Sequence, residues 1–300
     1  MADQAERLRE LSRVALSIND NNSAHEERPC ARVLAVTSGK GGVGKSSFSV
    51  NLALALAGFG KKVLVIDADV GMANIDVMIG CLAQYNLLDI IEGTRSFEEV
   101  AITGPRNIKL LPGGSGVKSL VALTSLELQR LINQTAQFER AMDFILLDTG
   151  AGMSDNVINF LLSADDILLV TTPEPTSLTD AYAIIKVYSA NAGQAKLSLV
   201  INRVEDERES ASVAAKLGRA ANRFLGVDLE PLGYVLEDAA MTASIRSQNP
   251  LILQFPSSPA ADCINKIAHK IVFGQNPVKD SFVGFFKRLL NVNNIIGTRK

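Results

Sequence analysis

The stretch Arg32-Val33-Leu34-Ala35-Val36-Thr37-Ser38-Gly39-Lys40-Gly41-Gly42-Val43-Gly44-Lys45-Ser46-Ser47 decides the fold. Residues 32–37 read as a buried strand, and Ser46 to Ala57 has helical composition, with Phe48, Leu52, Ala53 and Leu56. Between them, Gly39 to Ser46 fits the phosphate-loop pattern G-x-x-x-x-G-K-[ST] in full, with a second lysine, Lys40, ahead of Lys45. Glycines let backbone N–H groups curl around phosphate oxygens, and the helix N-terminus adds partial positive charge. The candidate cradle is Gly39, Lys40, Gly41, Gly42, Val43, Gly44, Lys45, Ser46 and Ser47. Lys45 is placed to reach the β- and γ-phosphates, and the Ser46 hydroxyl to ligate Mg²⁺.

A dinucleotide reading competes, because Gly39, Gly41 and Gly44 also satisfy G-x-G-x-x-G and Asp67 follows a later strand. Lys40 and Lys45-Ser46 have no role in a dinucleotide site. A second strand-terminal aspartate, Asp148, has none either. The nucleoside-triphosphate reading is therefore preferred.

Outward from the loop, apolar runs alternate with helical segments: Val63–Ile66, Ile108–Leu111, Phe144–Leu147, Ile167–Val170, Leu197–Ile201 and Leu232–Val235. Most are continuous rather than alternating, as parallel strands covered on both faces should be. The fold class expected is a doubly wound α/β, mostly parallel sheet with helices on both faces, binding its ligand at the C-terminal strand ends. The organisation expected is an amphipathic N-terminal motif over 1–18, a linker over 19–31, and a phosphate-loop domain over 32–273. A second linker over 274–280 and a C-terminal amphipathic helix and tail over 281–300 complete it.

Composition narrows the class. The chain has 300 residues, is 47% apolar and carries a net charge of −2, an ordinary globular balance without the excess of positive charge that nucleic-acid binding favours. Cys30, Cys81 and Cys263 stand alone, with no C-x-x-C for a cluster, and His25 and His269 read as incidental. Isolated thiols suggest a reducing cytoplasm. Met1 to Arg13 is charged and lacks the apolar core of a signal peptide, and no run reaches the ~20 apolar residues of a membrane span.

Two carboxylate segments converge on the loop. One strand runs into Asp67-Ala68-Asp69-Val70-Gly71-Met72-Ala73-Asn74, another into Asp148-Thr149-Gly150-Ala151-Gly152. A carboxylate at a strand end beside a phosphate loop suits Mg²⁺, so Asp67 and Asp148 join Ser46 as metal candidates. Lys40-Gly41-Gly42-Val43-Gly44-Lys45-Ser46 resembles the deviant Walker A loop of the MinD/ParA ATPases, and the two aspartate segments resemble their switch I and switch II. The likeness spans roughly residues 32–273. It implies an ATP-bound homodimer in which Lys40 of one subunit reaches the partner's phosphates and Asp69 orients the attacking water. Lys40, Lys45, Asp69 and Asp148 are thus the catalytic candidates, with ATP and Mg²⁺ as cofactors.

Many members of the family carry proline where this chain has Gly150, and Asp148-Thr149-Gly150-Ala151-Gly152 resembles the flagellar-number branch (FlhG/FleN type). Guanine-specific relatives use N-K-x-D, but Asn265-Lys266-Ile267-Ala268 lacks the aspartate and falls in a helical pattern. Asn202 and Arg203 resemble the family's adenine-contacting position, although Asn202 also suits a turn. Val235-Leu236-Glu237-Asp238 resembles the second base-pocket segment, nominating Val235 and Glu237, and Glu174 is placed near the dimer face.

On a helical wheel Phe282, Phe285, Phe286, Leu289 and Leu290 share one arc, with Lys287 and Arg288 opposite. The segment resembles the MinD membrane-targeting helix; docking on the domain core is the other reading, and the two are compatible in different states. At the other end Ala5, Leu8, Leu11, Ala15 and Ile18 recur at helical spacing. Within that stretch Asp3, Gln4, Arg7 and Leu8 resemble the activating motif of flagellar-number regulators. The resemblance implies a slow Mg-dependent ATPase that restrains a flagellar master transcription activator and acts with a signal-recognition-type flagellar GTPase. Its place is the cytoplasm and the inner face of the cytoplasmic membrane, with no direct nucleic-acid contact. A MinD-like division-site ATPase and a partition-type DNA-binding ATPase are the alternatives.

Overall fold

The apolar runs become strands β1 (Arg32–Ser38), β2 (Val63–Ala68), β4 (Lys109–Leu111), β5 (Phe144–Ala151), β6 (Asp166–Thr171), β7 (Lys196–Val204) and β8 (Glu230–Leu236). A two-residue β3 (Ile102–Thr103) adds an edge that the sequence pattern does not announce. The computed structural model describes residues 31–69, 74–113, 141–274, 284–286 and 288–289. The strands form one sheet in the order β3-β4-β2-β5-β1-β6-β7-β8, parallel throughout except for the antiparallel β3–β4 pair.

Successive residues of each strand feed opposite layers. Val33 and Ala35 enter the layer packed by α3 (Leu87–Glu92), α5 (Asp155–Ser163), α6 (Pro175–Ala190) and α7 (Glu207–Leu225). Leu34 and Val36 enter the layer packed by α1 (Lys45–Gly58), α9 (Leu251–Gln254) and α10 (Pro259–Phe273). Also among the described residues are the helices α2 (Ile75–Met78), α4 (Phe97–Val100) and α8 (Ala239–Arg246). Because both faces are covered, the strands need no polar side, which is why they read as continuous apolar runs. β1 lies between β5 and β6, and the chain departs from it in opposite directions, so the C-terminal ends of these three strands form the crevice where such sheets bind ligands.

The C-terminal segment takes the docked one of its two readings. Phe285, Phe286 and Leu289 are buried in the α5–α7 layer, not presented outward in this conformation. Phe285 stacks on Phe160 of α5 with ring centroids 6.5 Å apart. Arg288 donates from Nε to the Ser163 carbonyl at 2.8 Å and from Nη2 to Asp165 Oδ1 at 2.9 Å. α10 belongs to the opposite layer. Phe282, Lys287 and Leu290, like Asp3, Gln4, Arg7 and Leu8, lie outside the described residues.

Candidate nucleotide site

The loop leaves β1 at Ser38 and turns into α1 through Gly44, whose φ of 88° is left-handed. A Cβ at Gly39 would sit 2.3 Å from the Asp180 backbone carbonyl carbon of α6, so only glycine lets the loop start there. No side chain caps α1, whereas Ser154, Asp206 and Ser258 cap α5, α7 and α10. The first N–H groups of a 14-residue helix are thus left to an anion rather than to the protein's own oxygens.

Behind the loop stands a buried polar cluster. Asp148, 1% exposed, accepts from Ser46 Oγ at 2.7 Å and from Ser49 Oγ at 2.6 Å. Lys45 Nζ lies 2.9 Å from Oδ2, the oxygen that also accepts from Ser46, while Oδ1 accepts from Ser49. The carboxylate is satisfied on both oxygens, and the buried ammonium has its counter-charge. A hydroxyl and a carboxylate side by side are the hard oxygen donors that Mg²⁺ prefers, so the residues fit the ion; bound there, it would neutralise charge on phosphate oxygens. Ser49 is a member that the loop pattern does not name. Its spacing of three from Ser46 on α1 places both on one helix face, which is the signal that finds it.

Asp67 pairs in register with Asp148 across β2 and β5. Its carboxylate accepts from the backbone N–H groups of Asp69 at 3.2 Å, Asn74 at 3.0 Å and Ile75 at 3.2 Å. It therefore ties Asp69 to Asn74 and Ile75 at the start of α2. Burial, and then the Asp148 charge, hold its carboxyl up at about 6 against the downward pull of those three donors. Asp69 stands beside the second carboxylate segment: a Cβ at Gly150 would be 3.7 Å from Asp69 Oδ1. That segment is fastened to β1 by Thr149 Oγ1, which donates to Val36 O, and by Gly152 N, which donates to Ser38 O.

Lys40 is placed apart from Lys45. Its Nζ reaches Glu174 Oε2 and Thr176 Oγ1, both at 3.2 Å, at the start of α6. Both partners of the ion pair are substantially exposed, so it is a weak, water-screened contact. Asn202 is 7% exposed and donates from Nδ2 to Val43 O at 2.7 Å, bracing the loop from β7. Arg203 beside it is exposed, with a left-handed φ of 58°. Val235 keeps its side chain within the core, 1% exposed, so it is its backbone that can line a pocket. Glu237 is exposed just beyond β8.

The ParA family model, described as NUBPL iron-transfer P-loop NTPase, matches residues 30–272. The chain belongs to the ParA family of P-loop NTPases. This ParA-family chain is 38% identical over 240 residues to the antiactivator FleN of Pseudomonas aeruginosa, covering 80% of this chain and 86% of that one. It is 33% identical to the flagellum site-determining protein YlxH of Helicobacter pylori, across 97% of this chain and 99% of that one. The septum site-determining protein MinD of Pyrococcus horikoshii, solved with Mg-ADP, superposes with a TM-score of 0.65 at 28% identity. That match covers 80% of this chain and 96% of the other. The ParA-family fold thus carries the MinD-type sheet, as the resemblance implied, and with it a nucleotide site of the kind that holds Mg-ADP in that relative.

Proposed function

We propose that this protein is an ATP-dependent dimerising switch that limits flagellar number, restraining a flagellar transcription activator and acting with a flagellar GTPase. The observation that carries the flagellar reading is the match to a flagellum site-determining protein over nearly the whole of both chains, joined by likeness to an antiactivator. The chemical reading rests on the cluster behind the loop. Lys45 would leave Asp148 for the phosphates, Ser46 and Asp148 would hold Mg²⁺, and the turn anchored by Asp67 would present Asp69 to the attacking water. Lys40 rests on the rim of its own cradle, which supports a role in the partner subunit's site. Slow hydrolysis suits a switch whose bound state is the signal.

Membrane attachment belongs to the same proposal. The arc of Phe285, Phe286 and Leu289 is docked on α5, which follows the Asp148–Gly152 segment directly. A rearrangement of that segment on nucleotide binding would pull on the seat of the C-terminal helix, making lipid contact depend on ATP. The deciding test is the number of flagella per cell, counted by electron microscopy in a strain lacking the protein. Many flagella where the parent has one or a few are expected; an unchanged count removes the flagellar reading and leaves the ATP switch to be reassigned.

A further inference from the structure

The far edge of the sheet carries a feature that the nucleotide site does not use. β8 is the terminal strand, and beside it a groove of ≈ 880 Å³ runs between α7 and α10. Its walls include Ala211, Ala214, Pro231, Leu232, Gly233 and Ile267. The floor is low because Gly233 admits Ile267 closely: a Cβ there would lie 2.6 Å from Ile267 Cγ1. On α7 the small residues Ala211 and Ala215 are exposed, and at the mouth Phe59, His269 and Phe273 gather, with Phe273 62% exposed. The edge itself is partly capped, since Lys270 Nζ donates to Leu232 O at 2.8 Å and the Leu236 backbone bonds to Cys263. An added strand therefore finds few open backbone groups, while an apolar helix face finds a seat of small residues.

We propose that the occupant is this chain's own N-terminal segment, residues 5–18. The described chain begins at Ala31, and Arg32 donates from Nη1 to Ile271 O of α10 at 3.4 Å. Arg32 also lines a second trough of ≈ 500 Å³ that shares Pro231, Leu232, His269 and Lys270 with the groove. The polypeptide preceding Ala31 thus starts at the β1 end of the trough, three strand spacings or about 14 Å from β8 and the groove. Residues 19–30 reach up to about 40 Å when extended, several times the roughly 12 Å of the 207–215 wall. Tethered so closely, the segment is present at an effective concentration on the order of millimolar. Ala5, Leu8, Leu11, Ala15 and Ile18 occupy an arc of about 140°, with Glu6, Arg9, Glu10 and Arg13 opposite. Leu8, Leu11 and Ala15 span two helical turns, about 10 Å, which matches the groove. Docking covers part of Asp3–Arg9, so a partner that takes this stretch must first displace it from the β8 edge. The inference concerns the chain alone and stands whether or not the flagellar reading does.

The test uses the full chain with the photo-crosslinking residue p-benzoylphenylalanine at position 12, on the border of the apolar arc. Irradiation and peptide mapping are expected to give adducts within one chain, to 207–215 or 262–270. Ala211→Glu and, separately, Ala215→Glu put a charge in the groove at exposed positions and should cut the yield at least about five-fold, a loss of ~1 kcal/mol. Unchanged circular dichroism shows that the variants remain folded. Adducts that map elsewhere, form only between two chains, do not form, or ignore both variants overturn the proposal.

Discussion

At the residue scale, buried charge governs the site. Asp67 is the clearest case, because its carboxyl is held at about 6 chiefly by burial, while an unfolded aspartate titrates near 3.9. Between roughly pH 4 and 6 the folded chain keeps a proton that the unfolded chain has lost. The stability this group contributes is complete below about pH 3.9 and is lost as pH rises through about 6, a change on the order of 2–3 kcal/mol. Melting of the metal-free protein from pH 4.5 to 6.5 should therefore show a shallower decline in Asp67→Asn than in the parent; parallel profiles would sink the assignment. Asn202 gives a second prediction. Asn202→Ala leaves the Val43 carbonyl without its donor, costing about 1–3 kcal/mol, and should weaken nucleotide binding about ten-fold by loosening the loop. An isothermal titration that finds unaltered affinity would return Asn202 to the role of a mere turn residue. The sequence placed Lys45, Ser46 and Asp148 together because the loop pattern encodes fixed backbone geometry. It did not show that Asp67 anchors Asp69 and the start of α2, since three N–H donors from 69, 74 and 75 belong to folded backbone, which no side-chain pattern records.

At the element scale, strand positions were legible wherever both faces are buried, and β3 was not, because two residues hold no periodicity. Strand ends were less so: β5 continues past Leu147 to Ala151, since Asp148 and Thr149 are buried and paired inside the sheet. The C-terminal segment shows why an amphipathic arc alone does not name its partner. The same phenylalanines that suit a lipid surface also fit the α5 layer, and their burial there, with the contacts of Arg288 to Ser163 and Asp165, shows which is chosen here. Asp165→Asn removes the charge opposite Arg288 while leaving every residue of the segment intact. Loss of this charge-assisted bond, about 1–2 kcal/mol, should raise nucleotide-free binding to anionic phospholipid vesicles several-fold in a flotation assay. Equal flotation of variant and parent would mean that this contact does not hold the segment back.

At the scale of the whole molecule, the reversal of strand order at β1 gathers the loop and both carboxylate segments at one end of the sheet. One subunit there already satisfies its own charges, with Lys45 on Asp148 and Lys40 on Glu174. The two lysines differ in what their loss should do. Lys45 is buried and is part of the cradle, so its pairing is tied to binding. Lys40 is exposed on the rim, so Lys40→Ala should bind ATP within a few-fold of the parent yet stay monomeric and release little phosphate. Asp69→Ala separates the steps in the opposite sense: assembly is kept and the water is no longer oriented. Its ATP complex should sediment as a lasting dimer, with phosphate release down about a hundred-fold or more, the lower end of general-base effects. If Lys40→Ala dimerises normally with ATP, the lysine acts within its own subunit; if Asp69→Ala turns over at the parent rate, the water is oriented by another group. Either result would locate the switch in a different part of the same crevice at the C-terminal ends of β1, β2 and β5.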